Sequence, residues 1–254
     1  MKFNHVIGYS LPEAYHRALL ALHKNHLRVD CKDYNTTTKE CGIVIEVKKP
    51  LLENRISKIF PGGPRDLQQY RMEISDGILD FMVGATENSW EYTYHQRIGD
   101  QLDFVVEELN RDKDSRRAIV LIRDNKVDQF TDHPACLQEL QFLIREDKLD
   151  MVAAMRSNDA LKASFMNMDA FIKLQSLVAL KLGIPVGTYT HIANSYHVYE
   201  KDFKEFDIAI LRIKKTPLNK LTYSYQDCYA ALMEEAIPAI KETVLDQQSK
   251  YMVN

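Results

Sequence analysis

Cysteine and net charge are both scarce in this sequence, and each scarcity removes a class of protein. Four cysteines, Cys31, Cys41, Cys136 and Cys228, are spread through 254 residues without a CxxC pair. Zinc ribbons and disulfide frameworks need closely spaced cysteines, so neither is expected, and no metal is expected. A reducing, cytoplasmic setting fits best, and there a lone cysteine stays a free thiol. The 33 Lys and Arg nearly balance 36 Asp and Glu, giving a formal net charge of -3. That balance argues against a broad electrostatic grip on nucleic acid or an anionic membrane surface. No apolar run reaches the roughly 18 residues of a membrane span. The start of the chain, Met1 to Val6, lacks the apolar stretch of a secretory signal. There is no internal repeat, low-complexity segment or long linker. What is present is ordinary: 45% hydrophobic and 27% charged residues, with length enough for a sizeable core.

Periodicity sketches the elements. Leu11, Ala14, Ala18, Leu19, Ala21 and Leu22 form one helical stripe within Ser10 to Leu27, with Pro12 in the tolerant first turn. Tyr34 to Lys39 is polar and reads as a loop, and Gly42 to Val47 as a strand. The turn Pro61-Gly62-Gly63-Pro64 leads into a helix predicted from Arg65 to about Phe81. Trp90, Tyr92 and Tyr94 alternate within Trp90 to Ile98, as on a strand edge or a loop lining a pocket. A helix is predicted over Gln101 to Asn110, and strands over Ala118 to Ile122, Leu137 to Ile144 and Leu149 to Met155. Met168 to Leu182 is a long apolar helix that Gly183 would cap. Strands are predicted at Thr188 to Ala193 and Ile208 to Ile213, and a helical tail from Gln226 to Tyr251. Several strands without regular βαβ alternation predict a single α+β domain over residues 1–254.

Few residues carry chemistry on their own. Cys136, in Pro134-Ala135-Cys136, is by itself more often a small buried hydrophobe than a nucleophile. A thiol with a pKa of about 8.5 needs a nearby cation to act as a thiolate at neutral pH. Arg116, Arg117, Arg156, His133 and His197 are the candidates. Arg116-Arg117 and Arg156-Ser157 offer forked donors that match phosphate oxygens, although paired arginines after a turn are usually a solvated edge. Asn167, between two methionines, could read one edge of a nucleobase or simply cap a helix. His197 and Tyr199 alternate along a strand and would face one side, where they could bind a sugar hydroxyl.

Taken in order, Pro134-x-Cys136-x4-Gln141-Phe142, Arg156-Ser157-x-Asp159, Asn167, His191 and His197-x-Tyr199 resemble thymidylate synthase and the related pyrimidine nucleotide hydroxymethylases. Asp114-Ser115-Arg116-Arg117 stands where that family has its paired phosphate arginines. The resemblance is clearest over residues 90–203, and 226–254 is an atypical helical C-terminal extension. It implies a large mixed β-sheet packed by helices, with one sheet face forming a homodimer interface. It implies C5 methylation of dUMP to dTMP with 5,10-methylenetetrahydrofolate as co-substrate, through a covalent adduct of Cys136 at pyrimidine C6. Hydroxymethylation of dUMP or of a cytidine nucleotide by the same cysteine, and nucleotide binding without turnover, are the alternatives.

The same resemblance implies roles for single residues. Arg156 and Ser157 would hold the phosphate, and Arg116 and Arg117 that of the partner subunit. Asn167 would read the base, His197 and Tyr199 the sugar 3′-hydroxyl, and Gln141 would support the pocket. Tyr94 would stand near the C5 proton, and Asp159 and Trp90 would meet the folate. The family's catalytic glutamate is matched by Asp66 or Glu73. A glycine is expected where His95 stands, and a histidine where Leu137 follows the cysteine. The reading position falls on Asn167, which favours uracil. A two-residue insertion would put Asp169 there instead and favour cytosine.

Overall fold

The computed structural model describes residues 2–84 and 89–252. The strands are β1 (Phe3–Gly8), β2 (Leu27–Cys31), β3 (Thr36–Val47), β4 (Ile56–Ser57), β5 (Ile119–Leu121), β6 (Leu137–Arg145), β7 (Lys148–Asp159), β8 (Val186–Tyr199) and β9 (Thr222–Tyr223). The helices are α1 (Leu11–Asn25), α2 (Pro64–Ser75), α3 (Tyr94–Ile98), α4 (Gln101–Arg111), α5 (Ser164–Leu182), α6 (Phe203–Lys215) and α7 (Ala230–Met252). Val253 and Asn254, the end of the predicted extension, lie outside the described residues.

A seven-stranded sheet runs in the order β1-β3-β8-β7-β6-β5, with β2 also on β3. It is mixed. β1–β3 and β7–β8 are parallel, while β3–β8, β5–β6 and β6–β7 are antiparallel. Each parallel pair needs a crossover, supplied by α1 in one case and α5 in the other. A mixed α+β sheet packed by helices is the predicted class. Along β7, Leu149, Met151, Ala153 and Met155 are buried, while Val152 and Ala154 between them are half-exposed. The period of two therefore puts a helical layer on one face and leaves the other open. Helix α5 carries Phe165, Met168, Phe171, Ile172, Leu174 and Val178 into the core. Gly183 ends it at φ 68°, a left-handed position that glycine adopts without Cβ strain.

Several predictions are corrected. Ile208 to Ile213 lies in α6, not a strand. Its β-branched residues suggest a strand, but Phe206, Ala209 and Ile210 are the buried set, at helical spacing, while Ile208 and Leu211 are exposed. Thr36 to Lys39 belongs to β3 rather than a loop, because β2 pairs with it in register, Val29 opposite Thr38. Helix α2 stops at Ser75, before Gly77 at φ 64°. Tyr94 to Ile98 is a short helix capped by the Thr93 hydroxyl, which accepts from the Gln96 amide at 3.2 Å. β7 and β8 outrun the predicted strands, continuing to Asp159 and Tyr199. Their parallel pairing, Ser157 with Ser195 and Asp159 with His197, carries polar residues that break the apolar pattern.

Candidate active site

Cys136 stands at the entry to β6, directly beside the end of β7. The Arg156 amide donates to the Cys136 carbonyl at 2.9 Å. The Arg156 guanidinium then grips the preceding loop, with Nε on the Ala135 carbonyl at 3.1 Å and Nη2 on the Pro134 carbonyl at 2.7 Å. On the other side, the Leu137 amide donates to the Tyr94 hydroxyl at 3.1 Å. The half-buried thiol is thus fixed through its backbone on both sides. Burial pushes the Cys136 pKa up, and the Arg156 charge pulls against it. Of the candidate cations, Arg156 is the one brought to the cysteine.

Tyr70, Glu73, Trp90, Tyr92, Tyr94 and His133 are among the residues lining a cavity of about 620 Å³. Burial raises the pKa of Tyr70, Tyr92 and Tyr94, and the charge of an ionised Cys136 would raise each further. These three phenols therefore sit within electrostatic reach of the thiol and stay protonated. Tyr92 and Tyr94 pack ring to ring, with centroids 5.6 Å apart.

The two candidate carboxylates separate cleanly. Asp66 is exposed at the start of α2, where its Oδ2 accepts from the Gly63 amide at 2.7 Å; it caps a helix. Glu73 lies two turns further on and lines the cavity. Burial raises its pKa, against a hydrogen bond from Gln69 at 3.0 Å. Tyr70, at i−3 from Glu73, shares its face of α2. The Tyr70 hydroxyl donates to Asn167 Oδ1. Asn167 is buried inside the first turn of α5 rather than capping it, and its Nδ2 has the Met155 sulfur at 3.8 Å. Asp169 is engaged elsewhere: Arg71 grips it with Nε and Nη2, both at 2.8 Å.

At the ends of β7 and β8, Asp159 Oδ1 accepts from the Leu161 and Lys162 amides at 3.0 and 2.9 Å, shaping the turn into α5. His197 is buried, edge-on to Tyr199 with ring centroids 4.8 Å apart. Desolvation, with Tyr34 as the next cause, pushes Tyr199 up to about 12. His191 lies in the core between the Tyr189 hydroxyl and Asn158, and burial pushes its pKa down to about 3. Ser157 stands beside Arg156 on β7.

Gln141, Arg116 and Arg117 are not gathered here. Gln141 Nε2 donates to the Arg116 carbonyl at 3.1 Å, and Arg117 Nε to buried Glu108 at 2.9 Å. Both arginines are exposed at the β5 edge of the sheet. His95 packs where the resemblance expects a glycine, with Nδ1 2.6 Å from Asp80 Oδ2. Gly77 gives the room, since a Cβ there would lie 2.3 Å from His95 Nδ1. Tyr70 is the site residue that sequence reasoning missed; its spacing from Glu73 was the available signal.

The thymidylate synthase family model matches residues 64–237. A Methanocaldococcus jannaschii protein named "Putative thymidylate synthase" is 34% identical over 187 residues, which is 67% of this chain and 80% of that protein. A protein of the same name from Methanothermobacter thermautotrophicus is 35% identical over 193 residues, covering 68% of this chain and 83% of its own length. In fold, the chain is similar to the thermostable thymidylate synthase A of Bacillus subtilis, with TM-score 0.64 at 16% identity, over 80% of this chain and 84% of that one. With its cysteine at the entry to β6 and the family model spanning most of its length, the chain belongs to the thymidylate synthase family and is a one-carbon transferase.

Proposed function

We propose that this enzyme methylates C5 of dUMP with methylenetetrahydrofolate as the one-carbon donor. The observation that carries the reading is Cys136, backbone-clamped by Arg156 and Tyr94, beside a cavity lined by Tyr70, Tyr92, Tyr94 and the half-buried Glu73. Cys136 adds to C6 of the pyrimidine and makes C5 nucleophilic toward the donor's methylene; loss of the C5 proton expels the folate, whose hydride then reduces the exocyclic methylene to methyl as the C6–S bond breaks and frees Cys136. Tyr94 and Glu73 handle protons during addition and loss of the C5 hydrogen; the raised Glu73 pKa suits a group that must both give and take one. Arg156 and Ser157 hold the nucleotide phosphate. His197 and Tyr199 bind the sugar. Trp90, 42% exposed at the cavity, offers a plane for the folate ring, with Asp159 at the end of β7.

Uracil is supported over cytosine. The Arg71 ion pair occupies both oxygens of Asp169, which leaves Asn167 as the base reader next to Tyr70. A homodimer through the open sheet face would cover Val152 and Ala154, and Arg116 and Arg117 would serve the partner's phosphate. Product mass after incubation with methylenetetrahydrofolate and dUMP, dCMP, UMP or CMP tests the reading. Thymidylate from dUMP supports it. A hydroxymethyl product, or a preference for a cytidine nucleotide, contradicts it.

A further inference from the structure

Helices α2 and α5 also share a second cluster, which the proposed reaction does not use. Arg71 follows Tyr70 in α2, and Asp169 follows Asn167 by two residues in α5, so both point away from their catalytic neighbours. Each of the three Arg71 nitrogens has a partner, Asp169 for Nε and Nη2 and the Tyr225 hydroxyl at 3.1 Å for Nη1. Arg55 is less fully met. Its side chain is 12% exposed, and its guanidinium carbon lies 3.8 Å from the centre of the Tyr225 ring. Its buried Nε has no hydrogen-bond partner among the described residues. The Glu53 Oε1 atom stands 3.8 Å from that Nε, beyond hydrogen-bond reach. The other Glu53 oxygen is held by the Tyr225 amide at 2.7 Å and the Ser224 hydroxyl at 3.5 Å.

A cavity of about 290 Å³ opens at this cluster, and Glu53, Arg55, Arg71, Lys173 and Gln226 are among its lining residues. Among the described residues it shares no lining residue with the cavity beside Cys136. Arg55, Arg71 and Lys173 outnumber the two carboxylates Glu53 and Asp169. Burying a guanidinium with an unmet donor is costly unless an acceptor completes it.

We propose that this pocket is a second anion site, one that binds a phosphate group through Arg55, Lys173 and Gln226. These donors come from three separate elements: the loop before β4, helix α5 and the turn that opens the C-terminal extension. A tetrahedral oxyanion presents acceptors in several directions, whereas a carboxylate is satisfied by a single guanidinium fork. Bound phosphate would tie the C-terminal extension to α5 and the loop before β4 and stabilise the folded chain by linkage. The site does not rest on the proposed reaction.

Calorimetric titration of the full chain with inorganic phosphate tests it, using Arg156→Ala to silence the catalytic phosphate site. In that background phosphate binding persists and raises the melting temperature. Adding Lys173→Glu, a change at an exposed residue, weakens it by about tenfold, the scale of one lost charge-assisted contact. Adding Arg55→Gln abolishes it, while the phosphate-free protein still melts cooperatively. Competition by dTTP would identify a nucleotide phosphoryl group as the occupant; its absence would leave free phosphate. If Arg156→Ala binds no phosphate, or binds it equally well with and without Lys173→Glu, the site does not exist. Because the readout is binding rather than turnover, this failure is separate from any failure of the catalytic reading.

Discussion

Helix α2 shows two chemistries side by side. Tyr70 and Glu73 present a neutral phenol and a carboxyl that burial holds toward its neutral form, beside a thiol whose own pKa is raised. Arg71, one residue from Tyr70, is fully charged and bound to Asp169. The same pairing recurs on α5, where Asn167 meets Tyr70 and Asp169 meets Arg71. The difference separates two uses of burial. In the cavity beside Cys136 it raises the pKa of the groups proposed to move protons. In the ion-pair cluster it strengthens a fixed charge pair that joins the two helices.

The largest expected effect is on the cavity side. Cys136→Ser should lower turnover by several orders of magnitude and leave nucleotide binding, measured calorimetrically, largely intact. Glu73→Gln should lower kcat by about 10²–10⁴. It should also change stability with pH. The Glu73 pKa is raised on folding, so the stability it confers is present below its unfolded pKa and is lost as pH rises through the folded value. Urea titrations across that window should lose this component in Glu73→Gln.

On the ion-pair side, Asp169→Ala strands the buried Arg71 charge and should cost about 3–5 kcal/mol of stability by urea denaturation, without changing the preferred base. Tyr70→Phe lies at the boundary. It leaves Asn167 Oδ1 without its donor and should reduce kcat/KM by about tenfold to hundredfold, in line with a loss of about 1–3 kcal/mol. Asp66→Ala, the control for Glu73, should cost only about 1 kcal/mol through the lost helix cap and leave kcat unchanged. If Asp66→Ala and Glu73→Gln damage kcat equally, the separation of cap from catalyst is wrong.

Much of the frame was legible where periodicity is strong. Helices α1, α4 and α5 and strand β6 follow their apolar stripes closely. Strand β1 and the first half of β3 were not, because their signal is pairing with other strands rather than a local apolar pattern. Helix α6 was hidden by its β-branched Ile208, Ile210 and Ile213; the helical spacing of the buried set, Phe206, Ala209 and Ile210, only packing reveals. In the site, the order of Cys136, Arg156, Asn167 and His197 along the chain was readable. The choice between Asp66 and Glu73 was not, since it depends on which face of α2 meets the cavity. Nor was the fate of Asp169, whose partner Arg71 lies 98 residues away in the chain.

Release of tritium from C5-labelled dUMP tests the central claim most directly. With methylenetetrahydrofolate present, the wild-type enzyme should release label while Cys136→Ser releases none. Release by Cys136→Ser at the wild-type rate, or no release by the wild-type enzyme, would contradict attack by this cysteine on the pyrimidine.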